Sequence, residues 1–352
     1  MKWREPSADF ALVLHPIDAK RDVRRKYPGL ARILPRVLIR RLCRVSPPVV
    51  LSEVTGVRSE ATGRRICGWM LACPLTASQM VQLPPVIVYD RIVKAGRLAQ
   101  KRGARLLGLG GLAAVMDDGG VTVAQRLSMP VTTGSSLTVA TAVAVLGGAS
   151  EERGLELKDA TAAVVGVSGA IGLACAEALA PRVAKLIVVG RREIRVSQAR
   201  AEAEAAGGAT VRMSIQIDEI VGADVVLAAT RLGEALIETR HLKTGAIVCD
   251  VAWPPSVSDR VRVEREDVAV ISGGILHVPG QADLGFDLGL PVGHIYACMG
   301  EAMVLGLEGR YESFSLGQRI QRARVREIGE LARKHGFRVS AGTRVNDIRV
   351  RR

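Results

Sequence analysis

"TAAVVGVSGAIGLACAEALAP", residues 161–181, decides the fold. "TAAVVG" is a short, continuous apolar run of the kind that forms a buried parallel strand, and "AIGLACAEALA" has the alanine and leucine spacing of a helix that stops at Pro181. Between them stand Gly166, Gly169 and Gly172, a G-x-x-G-x-x-G variant of the dinucleotide fingerprint. Glycines there let the backbone turn tightly and approach a pyrophosphate, whose charge rests on the N-terminus of the next helix. Gly166, Ser168, Gly169, Ala170, Ile171 and Gly172 are therefore the expected phosphate cradle.

Working outward, "KLIVVG" (185–190) reads as a second strand, followed by the helix "IRVSQARAEAEAAGG". "ADVVLAAT" (223–230), "GAIVCD" (245–250) and "VAVIS" (268–272) read as three more strands. This alternation predicts an α/β fold with a Rossmann-like doubly wound parallel sheet. The end of the second strand selects the nucleotide. An NAD site places an acidic residue there, whereas "VVGRRE" places Arg191 and Arg192 where a 2′-phosphate would lie, so NADPH is expected. The same arginines also read as solvated charges at a helix start. Thr230 and Asp250 close two of the later strands and are expected on the nicotinamide side; Asp250 reads equally well as the brace of a turn.

The first 155 residues are less regular. A strand at "DFALVLHP", a basic helical stretch through 20–44, two strands around 50–72 and the helix "VIVYDRIVKAGRLAQKRG" are expected, with another helix over 133–148. The glycine- and charge-rich "GGASEERGLELKDA" (147–160) reads as a boundary. It separates an N-terminal α/β substrate domain (1–155) from the NADP-binding Rossmann domain (156–290), and a C-terminal helical segment (291–352) follows.

Hydrophobic residues make up 48% of the chain and aromatics only 3%, so Val, Leu, Ala and Ile must fill the cores, as suits parallel sheets. The formal charge is +14, with basic blocks such as "KRDVRRK" (20–26) and "RVLIRRLCR" (36–44). Such a field suits an acidic partner: nucleic acid, an anionic membrane surface or an acidic carrier protein. No helix-turn-helix, finger or aromatic RNA-binding signature is present, and no specific nucleic acid is expected. The uncharged runs 66–89 and 132–150 are broken by proline or rich in Gly, Ser and Thr and do not read as spanning helices; peripheral membrane contact stays open. Six cysteines without C-x-x-C spacing, and a start lacking a signal-peptide apolar core, suggest a cytoplasmic location.

One cysteine stands apart. In "PVGHIYACMGEAM" (291–303), a helix beginning near His294 would put His294 and Cys298 at i and i+4 on one face, with the thiol in the early turns where its pKa falls. From the residues alone, a buried packing thiol and a nucleophile are both tenable.

The chain resembles the long-chain acyl-acyl-carrier-protein reductases of cyanobacterial alkane biosynthesis from about residue 10 to 337. The ordered matches include "HP" at His15, "AQKRGARLLGLGG" (99–111), "TTG" (132–134), the glycine turn, "SGGI" (272–275), "ACMGEA" (297–302), "EG" (308–309), "SFSLG" (313–317), "IGE" (328–330) and "KHGF" (334–337). The resemblance implies that Cys298 takes an acyl group as a thioester from acyl carrier protein or acyl-CoA, and that NADPH at the glycine turn reduces it to a fatty aldehyde. His294 is the candidate helper by its i, i+4 spacing alone and is not part of the family pattern. Other readings remain. "DVAWPP" is similar to a strand end of shikimate-type dehydrogenases, which reduce a carbonyl without a covalent intermediate. A glutamyl-tRNA reductase places its cysteine in an N-terminal Ser/Thr-rich motif that this chain lacks, and a non-enzymatic NADP-binding protein is the third alternative.

Overall fold

The computed structural model describes residues 8–16, 18–114, 118–230, 235–252 and 254–340. The chain divides into two compact units. Of the described residues, one holds those up to Ser135 together with His277–Gln318 and Glu330–Arg338; the other holds those within Ser136–Leu276 and Arg319–Gly329, with Val339 and Ser340.

The first unit is built on β1 (Phe10–Leu14), β2 (Val49–Arg58), β3 (Arg65–Ala72), β4 (Leu107–Leu109) and β5 (Val131–Thr132). The strand Gly280–Asp283 pairs antiparallel with β2, and the order from that edge runs through β2, β3, β1 and β4 to β5. β1 is parallel to β3 and β4, and β4 to β5, while β2 and β3 form an antiparallel pair. The run "FALV" of β1 is fully buried, as the centre of a covered sheet requires. The helix Pro85–Lys101 covers one side with Val88, Ile92 and Val93. The helix Ala297–Glu308, buried nearly all round, lies against β4, and it approaches closely because Gly108 and Gly110 have no side chains: a Cβ at 108 would stand 3.0 Å from the Ala302 methyl, and one at 110 3.3 Å from Met299. The basic stretch 20–44 is three short helices, Ala19–Lys26, Pro28–Ile33 and Arg36–Val45, because Pro28 and Pro35 interrupt it.

The second unit carries β6 (Thr161–Val165), β7 (Lys185–Val189), β8 (Thr210–Ser214), β9 (Val225–Ala228), β10 (Ile247–Asp250) and β11 (Ala269–Ser272). All pair in parallel, in the order β11-β10-β9-β6-β7-β8. The chain steps outward from β6 to β7 and β8, then returns to place β9 on the other side of β6. This is the doubly wound Rossmann order, with its topological switch point between β6 and β9.

The helix Ser135–Glu152 runs into the segment 147–160. Its Val139, Ala142, Val143 and Leu146 enter the same core as β6 and β7, so the chain passes into the Rossmann unit at 135/136, a helix before the expected boundary. The residues from 291 are not a separate segment: most of them pack in the first unit. Among the described residues no helix is long and apolar enough to cross a membrane, and no cluster of His, Cys, Asp and Glu could hold a metal ion.

Candidate active site

Cys298 stands at the start of the helix Ala297–Glu308, half-buried, and this helix start has no side-chain cap. Burial pushes the thiol up; the backbone N–H groups of Gly111 and Met299 act against it, while the carboxylate of Glu301 adds to the rise. Two N–H groups from different segments thus face one sulfur. They are stabilising dipoles for a thiolate, held in place before any reaction.

The surroundings come from the ends of three strands. Beyond β4, Gly111 adopts φ +59°, which brings its Cα side against the ring of His15, where a Cβ would sit 2.6 Å from Nε2. His15 follows β1; its Nε2 accepts the Leu112 N–H at 2.9 Å, and Nδ1 lies 3.3 Å from the Pro16 carbonyl. Burial pushes this imidazole down, and the neutral ring fits a proton on Nδ1 with Nε2 as the acceptor. His15 therefore fixes the Leu112 N–H and with it the Gly111–Leu112 peptide, directly after the Gly111 N–H that faces the cysteine. Beyond β5, Gly134 takes φ +69° and backs onto Cys298 itself. Thr132 donates its hydroxyl to the buried Glu301 carboxylate, one turn along from the cysteine, and the Thr133 hydroxyl reaches the Ser315 carbonyl. "HP", "GLGG", "TTG", "ACMGEA" and "SFSLG", scattered from 15 to 317, converge on one thiol.

His294 is not placed on the helix of Cys298 as the i, i+4 spacing expected. It lies in the short strand His294–Tyr296, and the helix begins only at Ala297, so His294 is not one turn below Cys298. Its Nδ1 is 3.0 Å from the Val292 carbonyl and its ring packs edge-on against His277, with centroids 5.3 Å apart.

The glycine turn of the second unit has the geometry of a phosphate cradle. Gly166 sits at φ +101°, and a Cβ there would be 2.5 Å from the Ala229 carbonyl oxygen; a Cβ at Gly172 would be 2.4 Å from the Gly166 oxygen. Gly169 precedes the helix Ala170–Leu179, and a Cβ there would stand 3.5 Å from the Gly166 carbonyl oxygen, in ordinary contact. Ala170 and Ile171 open that helix and leave their N–H groups toward the turn. The Ser168 hydroxyl is buried without a hydrogen-bond partner among the described residues and faces Gly190 at the end of β7. An orphaned hydroxyl beside bare helix N–H groups at the switch point fits a dinucleotide phosphate. Arg191 and Arg192 follow at once, exposed and without an ion pair among the described residues. They remain available to a 2′-phosphate.

Thr230 lies just beyond β9, across the turn from Gly166, its hydroxyl 2.6 Å from that of Ser256. Asp250 is buried and engaged: its carboxylate accepts the N–H groups of Ala252 (3.0 Å), Ser256 (2.7 Å) and Val257 (3.1 Å). Burial pushes it up to about 6 against those hydrogen bonds. Its visible role is to shape the loop after β10, the turn-bracing alternative. Trp253 of "DVAWPP" lies outside the described residues.

Residues 149–272 match the family Shikimate / quinate 5-dehydrogenase. Over 301 residues the chain is 30% identical to the aminotransferase PigE of Serratia sp., covering 83% of this chain; the chain spans 35% of that protein's length. It is 25% identical over 307 residues to the long-chain acyl-[acyl-carrier-protein] reductase of Synechococcus elongatus, covering 83% of this chain and 87% of that one. Similar solved structures include quinate dehydrogenase from Corynebacterium glutamicum in complex with NAD (14% identity, 91% of this chain and 98% of that one, TM-score 0.41). L-tryptophan dehydrogenase from Nostoc punctiforme is another (11% identity, 93% and 80% covered, TM-score 0.44).

Proposed function

We propose that the chain is a nicotinamide-dependent oxidoreductase that reduces an acyl thioester to an aldehyde through a covalent Cys298 thioester. The observation that carries this reading is the sulfur itself, at an uncapped helix start and faced by the N–H groups of Gly111 and Met299. The similarity to an acyl-carrier-protein reductase over most of both chains supports it, and so does the nucleotide cradle with its free arginines.

Cys298 attacks the thioester carbonyl of acyl carrier protein or acyl-CoA; its S–C bond forms, the donor's C–S bond breaks, and the thiol proton leaves with the donor sulfur. NADPH, which Gly166, Ser168 and Gly172 with Arg191 and Arg192 would hold, would supply the hydride that turns the acyl-enzyme carbonyl into a hemithioacetal oxyanion. On collapse, the C–S bond to Cys298 breaks, the aldehyde departs, and the thiolate is received by the same two N–H groups before it takes back a proton. Those groups serve both steps because the sulfur is nucleophile in one and leaving group in the other.

The experiment is to incubate the protein with a long-chain acyl-CoA in the absence of NADPH and weigh it intact. A mass increase of one acyl group, lost in Cys298→Ser, and aldehyde release on adding NADPH are expected. No adduct in the native protein would sink the covalent mechanism. The match of 149–272 to shikimate and quinate dehydrogenases favours, as a second reading, direct reduction of a carbonyl. In that case Cys298→Ala keeps most of the activity on a carbonyl substrate.

A further inference from the structure

The three short helices between Ala19 and Val45 enclose a very small core, Ala19, Ala31, Ile39 and Cys43, and turn an unusual surface outward. From Arg24 to Val45 the sequence contains no carboxylate. Large aliphatic side chains that could have been buried stand in solvent instead: Ile33 is 80% exposed, Val37 66% and Val45 68%. On the helix Arg36–Val45 the side chains sort into rows. Ile39 and Cys43 face inward, Arg36, Arg40 and Arg44 follow at four-residue spacing along one flank, and Leu38, Leu42 and Val45 run along the opposite flank. Arg24, Arg32, Arg40 and Arg44 have no ion pair among the described residues.

We propose that this surface docks on an anionic lipid bilayer, with the aliphatic flank entering the headgroup boundary and the arginines on the lipid phosphates. Guanidinium rows alone would suit an acidic protein. The exposed aliphatic row beside them suits a bilayer interface, which supplies phosphates and acyl chains at adjacent depths along the two flanks of one helix. The inference stands on this surface and not on the acyl-reductase reading.

The test is co-flotation of the full chain with vesicles of phosphatidylcholine alone, or with 30% phosphatidylglycerol, at about 0.1 M salt. At least tenfold tighter binding to the anionic vesicles is expected, weakening at 0.5 M salt. The triple variant Ile33→Ser, Val37→Ser, Val45→Ser should lose tenfold or more at unchanged charge, and Arg40→Gln with Arg44→Gln a comparable amount. A control, Arg182→Gln with Arg195→Gln, removes two exposed charges from the second unit and should bind like the native protein. Binding that the triple variant retains in full, or that falls equally in the control, would reduce the effect to net charge and overturn the proposal. So would failure to bind anionic vesicles; if the same variants then slow turnover of a carrier-linked acyl donor in vesicle-free solution, the face belongs to an acidic protein instead.

Discussion

Gly134 and Cys298 are in backbone contact: a Cβ at position 134 would lie 1.9 Å from the Cys298 carbonyl oxygen and 2.3 Å from its Cα. The turn after β5 is the rear wall of the cysteine. Its left-handed backbone, φ +69°, is what allows that approach.

Gly134→Ala should therefore damage the site before it damages the fold. The positive φ alone costs an L-residue about 1–2 kcal/mol, and the clash must push the helix start away from Gly111. Acyl-adduct formation should fall at least about tenfold, the equivalent of ~1.4 kcal/mol in the barrier, while the melting temperature drops only by several degrees. Native adduct kinetics in this variant would mean that the close approach is irrelevant to the thiol.

The charge state of Cys298 gives a second expectation. Burial holds its pKa above the ordinary thiol value, so at neutral pH the resting group is the thiol. Only the thiolate reacts. Alkylation of Cys298 by iodoacetamide, followed by peptide mass analysis, should accelerate about tenfold per pH unit from pH 7 and still be climbing at about pH 8.5. A plateau below pH 7 would show that the Gly111 and Met299 N–H groups outweigh burial.

Much of the Rossmann unit is legible in the sequence because its strands are continuous apolar runs broken by glycine. β8 is not, since "TVRMS" lies at the sheet edge with most of its side chains exposed and carries no apolar run. The helix start at Ala297 is equally hidden: "HIYACM" has no capping residue, and His294–Tyr296 is drawn into a strand. The cysteine is conspicuous, but its neighbours are not. His15, Gly111 and Gly134 lie more than 150 residues from it in the chain, and only the β1–β4–β5 pairing brings them together. The ordered motifs name these positions without indicating that His15 holds the Leu112 N–H, one residue past the Gly111 N–H that faces the thiol.

Arg191 and Arg192 make the nucleotide preference testable. Removing charge-assisted contacts to a 2′-phosphate costs roughly 1.5–3 kcal/mol, so Arg191→Gln with Arg192→Gln should raise the Kd for NADPH tenfold or more and leave that for NADH nearly unchanged. Isothermal titration of both nucleotides reads this directly. Equal weakening of both would assign the arginines to the surface.

A last prediction concerns stability. Glu177 is buried on the helix Ala170–Leu179; burial, and then its contact with the Glu202 carboxyl, push it up to about 7, against the opposing pull of Arg319, which bridges both carboxylates. A folded-state pKa above the unfolded value means that the folded protein keeps a proton the unfolded chain has lost. Stability from this group is thus greatest below the ordinary carboxylate pKa, declines as pH rises toward 7, and is flat above, a span of at most about 3 kcal/mol. Glu177→Gln keeps a donor facing Glu202 at every pH. It should match the native protein in thermal melts at pH 5 and exceed it at pH 8, leaving a flatter profile. If both proteins lose the same stability between those values, Arg319 keeps Glu177 ionised in the folded state and the proton is not shared with Glu202.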